Sequence, residues 1–313
     1  MLARVANSLY WTGRYIERSE HLARYLKVQY FSMLDAPMSQ NKDFILQSIM
    51  TMYGLEFDPE APSDEPAVLV QLGMDAGNPA SLVSTVFSAR ENARSVRYTI
   101  STELWEVINE YYLFVREYSI DYFKSRGLYD FTVNVAKHCA IVRSYLDHTL
   151  VHDDVWVFIE LGIHLERAAQ IARILSSKLH DIDVITENGS NVPLRRYQWT
   201  ITLKVLEAFD MHRRVYRKPQ NQASVLEFLT SNVHFPRSIA YNLQRIDELV
   251  QRLDGRVGDR NSLHFKAGKL SGYFSHLEYG EIKDDLPKFL EKTLDNIYEL
   301  HTLIDDKYFQ TGA

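Results

Sequence analysis

The string GRYIERSEHLARYL, from Gly13 to Leu26, aligns without a gap on GIHLERAAQIARIL, from Gly162 to Leu175. Six of the 14 positions are identical, two more exchange Ile with Leu, and the offset is 149 residues throughout. Around the first copy, Leu2, Val5, Leu9, Thr12, Ile16, Ala23 and Leu26 recur at spacings of three, four and seven. That is one face of an α-helix of about seven turns. A shared string at this separation points to an internal duplication or to two structurally equivalent helices, against chance likeness among residues common in helices. ARENAR, from Ala89 to Arg94, is a third and weaker echo.

Similar periods recur along the chain. Asp43 to Met52 reads as a short helix stopped at Gly54, and Ala67 to Leu72 as another inside an otherwise loop-like, proline-rich segment from Glu56 to Gly77. Asn78-Pro79 reads as a helix start, cap then first-turn proline, with a run through Leu82, Val86, Ala89, Ala93 and Val96. After a break near Ser101 the pattern resumes through Leu104, Trp105, Ile108 and Tyr112. Further helices are expected over Tyr129 to Val151, Asp153 to Lys178, Arg196 to Tyr216, Ser224 to Ser231, Pro236 to Leu253 and Lys283 to Tyr308. The stretches after Leu34, from Asp181 to Pro193 and from Asp254 to Asp259 read as turns. No alternating run of β-branched residues suggests a strand. The expectation is an all-α, multi-helix bundle, with two pseudo-equivalent helical halves of about residues 1–128 and 129–313 around one core.

Composition narrows the function classes. A net charge of −6 argues against general nucleic-acid binding, which needs a basic surface to displace counterions. Every apolar run is broken by a charge before the roughly 18 residues a membrane span requires. A single cysteine, Cys139, and an opening MLARVANSLYW without a secretory layout point to the cytoplasm. Of the 35 basic residues, 22 are Arg and 13 Lys. Arg is the better partner for carboxylates at partly buried sites, so this bias suggests internal ion pairs or an anion pocket.

The residues that could carry chemistry cluster on the first helix. Asn7, Tyr10, Trp11, Arg14, Glu17, Arg18 and His21 fall on one stripe, opposite Val5, Leu9, Thr12, Ile16 and Ala23. Three readings fit this stripe: an internal ion-pair network, a ligand or partner site, or plain surface. Tyr and Trp among the charges weigh against plain surface, because large aromatics favour burial. If Glu17 and Glu166 hold Arg18 and Arg167, then Arg14, Arg90 or Arg94 could present donors to a carboxylate or phosphate. His148 and His152, followed by Asp153 and Asp154, share a helix face, as do Glu160 and His164. Neither the di-iron bundle pattern nor His-Glu-x-x-His occurs, so no metal and no cofactor is expected. His138 and Cys139 point about 100° apart on a helix, which argues against an activated dyad.

Several blocks taken in order resemble the bacterial alpha-E family, all-helical proteins named for a recurrent Glu-Arg motif. They are MLARVANSLYWTGRYIERSEHLAR at the start, NPASLVSTVFSARENARSVR with STELWEVIN after it, DDVWVFIELGIHLERA, and HFPRSIAYNL. The resemblance implies association with circularly permuted ATP-grasp proteins and transglutaminase-like cysteine peptidases, in systems that make and trim peptide or amide products. It carries over, as candidate positions, Arg14, Glu17 and Arg18; Arg90, Glu91, Asn92 and Arg94; Asp153, Trp156, Glu166 and Arg167; and Pro236 with Arg237. Trp11 and His21 join them from the stripe. This chain has Asp154-Val155 where the family pattern has Glu-Gly before the Trp. The expected role is a substrate-binding or partner-binding subunit of an ATP-grasp amide ligase, holding an acidic peptide, a small carboxylate or the partner itself. An amide- or ester-transfer enzyme using Glu17 or Glu166 as acid or base, and a plain scaffold, are the alternatives.

Overall fold

The computed structural model describes residues 1–35, 42–58, 63–187, 192–254 and 262–310, and every regular element among them is helical. The chain divides into two compact units. The first comprises residues 1–163 together with the segment from Tyr308 onward. It holds α1 (Ala3–Asp35), α2 (Lys42–Tyr53), α3 (Glu65–Gly73), α4 (Leu82–Ser95), α5 (Thr102–Glu117), the single turn α6 (Ile120–Tyr122), α7 (Leu128–Thr149) and the start of α8 (Asp154–Glu187). The second, residues 164–307, holds the rest of α8 with α9 (Val192–Val205), α10 (Phe209–Tyr216), α11 (Gln222–Thr230), α12 (Ile239–Asp254), α13 (Leu263–Ser275), the turn α14 (Tyr279–Ile282) and α15 (Leu286–Ile304).

In the first unit α1 packs on α4 and α7, and α5 closes the ring by packing on the same two helices. The result is a four-helix bundle in which α1 is covered nearly all round, from Val5 to Leu26. The units divide inside α8, because α7 completes the first bundle. The N-terminal part of α8 crosses α1 at Gly13 and Gly162. A Cβ on Gly13 would lie 2.1 Å from the Ile159 carbonyl oxygen, and one on Gly162 would lie 2.1 Å from that of Tyr10. Only glycine lets two backbones approach this closely. In the second unit α13 packs between α12 and α15, while α11 contacts α9, α10, α12 and α14.

Four sequence expectations need correction. The helix after Asn78-Pro79 starts at Leu82, because the Ser81 hydroxyl accepts from the Ser84 amide as cap, while Asn78 shapes the preceding turn by accepting from Ala80. Asp181 to Glu187 is helical: Asp181 pairs with Lys178 at 2.6 Å, and Leu179, Ile182 and Ile185 continue the buried face. Arg196 to Tyr216 is two helices, broken where Glu207 takes a left-handed φ of 51°. Finally, α13 was not anticipated, since Gly268 and Gly272 dilute its pattern, although Leu263, Ala267 and Phe274 form a buried stripe and Ser262 caps it. The turns expected after Leu34 and Asp254 fall mostly on residues 36–41 and 255–261, outside the described residues, as do 188–191 of the stretch ending at Pro193.

Candidate functional site

In the first unit, the face of α1 toward α7 carries a buried acid-base network. Glu17 has no exposed surface, and its Oε1 lies 3.1 Å from Nε2 of His21, one turn on. Arg143, from α7, donates to Glu20 and stands 3.6 Å from Glu17 Oε2. Arg24 donates to Glu20 at 2.6 Å. Burial alone would lower the Arg143 pKa, but the carboxylates of Glu20 and then Glu17 more than offset it, so its guanidinium is firmly charged. Such a cluster persists in a low-dielectric interior only because each charge is matched and hydrogen-bonded.

Deeper between α1, α5 and α7 lies a neutral polar knot. The Tyr111 hydroxyl donates to Ser19 Oγ at 2.9 Å, Ser19 donates to the Ile16 carbonyl at 2.8 Å, and the Cys139 thiol lies 3.6 Å from Ser19 Oγ. Burial pushes the Cys139 thiol up to about 12 and Tyr111 well above its ordinary range. A thiol held protonated is neither nucleophile nor metal ligand. His138 stacks on Tyr111 at 5.4 Å rather than activating Cys139.

The remaining stripe residues of α1 are also engaged. Arg14 is buried, donates to the Tyr10 hydroxyl at 2.8 Å and lies 5.3 Å from the Trp11 ring. Arg18, half-buried, lies over Tyr15 at 5.4 Å. The structure thus joins Trp11 to Arg14, and Glu17 to His21, as two neighbouring clusters on one helix.

Arg90, Glu91, Asn92 and Arg94 sit on α4 beside α5, the first three half-buried and Arg94 exposed. Glu91 pairs with Arg90 and, at 2.6 Å, with Arg94. Asn92 instead bonds back to the Ser88 carbonyl. Arg90 lies between two aromatic rings, 5.4 Å from Trp105 and 5.2 Å from Tyr112. Arg97 lies over the Trp105 ring at 5.4 Å and Arg116 over Tyr112 at 5.4 Å. The order Arg97, Trp105, Arg90, Tyr112, Arg116 is an alternating cation-aromatic ladder. Its centre is packed, with Trp105 buried and Arg90 half-buried, while the end cations Arg97 and Arg116 are exposed. Beside it, Phe87 is 48% exposed and the Arg94 side chain 59% exposed.

Asp153 and Trp156 are at the start of α8. Asp153 Oδ1 accepts from the Val155 amide at 2.9 Å, and the Trp156 indole stacks on His152 at 4.3 Å. His148 and His152 bond to the carbonyls of Ser144 and Asp147. In the second unit, Glu166 has no exposed surface and accepts from Gln170 at 2.8 Å. Gln170 aligns with His21, so in both copies the residue one turn after the motif glutamate holds its Oε1. Arg167 is buried, and His164 meets Asn242 of α12 at 2.8 Å. Arg237 pairs with Glu207 at 2.8 Å.

Sequence reasoning missed Glu20, Arg24, Arg143 and Tyr111. Glu20 and Arg24 follow the motif at helical spacing, a signal that was available. Arg143 and Tyr111 come from helices whose register against α1 is set by packing alone.

The model of a family described as a predicted alpha-helical domain with a conserved ER motif matches residues 1–309. Among curated proteins, uncharacterised proteins of Mycobacterium bovis and of two strains of Mycobacterium tuberculosis are each 24% identical over 275 residues. Each match covers 82% of this chain but only 30% of the relative, so the chain spans about a third of their length. No solved structure matches. With residues 1–309 matched and the glutamates of its two Glu-Arg pairs buried, the chain belongs to the Alpha-E family.

Proposed function

We propose that this chain is a partner-binding helical protein that works with an ATP-grasp-type peptide or amide ligase in the cytoplasm, on products that a transglutaminase-like peptidase trims. The observation that carries the reading is the division of labour among its charges. Glu17 and Glu166 are sealed from solvent and bonded to their own helices, whereas Arg94 and the ladder's end cations Arg97 and Arg116 are exposed around the half-buried Arg90. A general base must reach the proton it removes, so a carboxylate buried against His21 and Arg143 is poorly suited to acid-base work on a substrate. An outward face rich in Arg and aromatic groups resembles the centres of protein interfaces. The matched region is less than a third of each curated relative, which carries further sequence beyond it.

The resemblance supplies the nature of the partner, and the α4–α5 ladder supplies the face that would meet its acidic surface or an acidic peptide. The test is incubation with a circularly permuted ATP-grasp protein, ATP and an amino-acid pool, following ADP release and new masses. Faster ADP release or a changed product supports the reading. Unchanged rate and product, with no co-purification, defeats it.

A further inference from the structure

In the second unit, α13 and α15 run antiparallel and leave an open groove between them, of about 750 Å³ with its solvent mouth included. One wall is a helical stripe of α13, Lys266, Lys269, Leu270 and Tyr273; the other is a stripe of α15 from Phe289 through Lys292 to Glu299. Lys266 donates to Glu299 at 2.7 Å and closes one end. The other end is aromatic, with Phe274 and Phe289 rings 5.9 Å apart and Tyr273 46% exposed beside them. Lys269 and Lys292 lie midway, one on each wall, both solvent-exposed. Three lysines against one glutamate give the walls a net charge of +2, in a protein whose overall charge is −6.

Two ammonium groups sharing a groove repel each other, and an anion between them removes that repulsion. The exposed Tyr273 ring and the half-buried Phe289 ring at one end add apolar surface at low entropic cost. A concave site with an apolar end and a few convergent charges is the common form of a small-molecule pocket. We infer that this groove binds a small amphipathic anion, its flat apolar part against Tyr273 and Phe289 and its carboxylate, phosphate or sulfonate between Lys269 and Lys292. The inference is independent of the α4–α5 face and of any ligase partner.

The probe is anilinonaphthalene sulfonate, an aromatic anion whose fluorescence reports binding, titrated against the folded full chain. The expected result is saturable one-site binding, weakened roughly ten-fold in Lys269→Glu/Lys292→Glu and retained in Lys269→Arg/Lys292→Arg. Neutral phenylnaphthylamine should bind alike to wild type and the Glu variant, and Phe289→Ala should weaken both probes. Circular dichroism confirms that the variants are folded; both lysines are exposed, and the Arg pair serves if the Glu pair does not fold. Absence of saturable binding, equal sulfonate affinity in the Glu variant, or equal loss of the neutral probe would overturn the assignment.

Discussion

Gly13 and Gly162 form a reciprocal crossing. Each faces the carbonyl oxygen three residues before the other, at Ile159 and Tyr10, and the amide one residue after it, at Ile163 and Arg14. Each glycine opens its copy of the repeated string, so the matched spacing has a physical use: it brings two backbones into contact where a side chain would block them.

Glycine inside a helix ordinarily costs about 1 kcal/mol relative to alanine. Here the balance reverses, because a methyl group at 2.1 Å from a carbonyl oxygen forces the helices apart. Gly13→Ala and Gly162→Ala should each destabilise by about 1–3 kcal/mol in urea denaturation. The double variant should cost less than the sum, since the first substitution already opens the crossing.

Arg143→Met removes the cation shared by Glu17 and Glu20 and leaves carboxylates in the interior. The expected loss is about 3 kcal/mol, because uncompensated buried charge is costly. Glu20 keeps its bond from Arg24, so adding Glu17→Gln should recover part of the loss, measured as the urea midpoint of the double variant against the single.

Cys139 should not react with a thiol reagent at pH 8 in the folded protein, since burial holds its thiol at about 12 with no exposed surface. Full labelling in guanidinium is the control. Rapid labelling without denaturant would contradict the packing of α7 on α1.

Stability should fall as the solution is acidified from pH 7 to 5. His212 is fully buried, stacked on Tyr216 at 4.7 Å, and burial lowers its pKa below the ordinary 6.5. The unfolded chain therefore binds a proton below about 6.5 that the fold does not. The stability this histidine contributes is present above that value and lost as pH falls toward its lowered pKa. His138, shifted the same way, adds to the slope. The urea midpoint of His212→Phe should be less sensitive to pH than that of wild type over this window.

Much of the helical architecture was legible in the sequence because the apolar period is strong where helices are long: α1, α7, α8 and α15 were anticipated to within a few residues or a few turns. The errors fell where local chemistry overrides the period. Ser81 displaced the cap expected at Asn78, the Lys178–Asp181 pair carried α8 past an expected turn, and Glu207 broke an apparently continuous helix. For the site, spacing identified Glu17 and Glu166. It did not identify the partners that define their role, since Arg143 lies 123 residues from Glu20 and meets it only through bundle packing. The Trp105 and Tyr112 rings that hold Arg90 were likewise invisible as partners, since the buried Trp105 and half-buried Tyr112 meet it only through the packing of α4 on α5.

The central claim is that the Glu-Arg carboxylates act as internal anchors while the outward Arg-aromatic face meets a partner. Its most direct measurement is calorimetric titration of a circularly permuted ATP-grasp protein with wild type and with Arg90→Glu/Arg94→Glu, alongside their melting temperatures. The account predicts that wild type binds and that the variant binds at least roughly ten-fold more weakly, with a melting temperature within a few degrees. Equal affinity in the two proteins, or no binding by wild type, would contradict it.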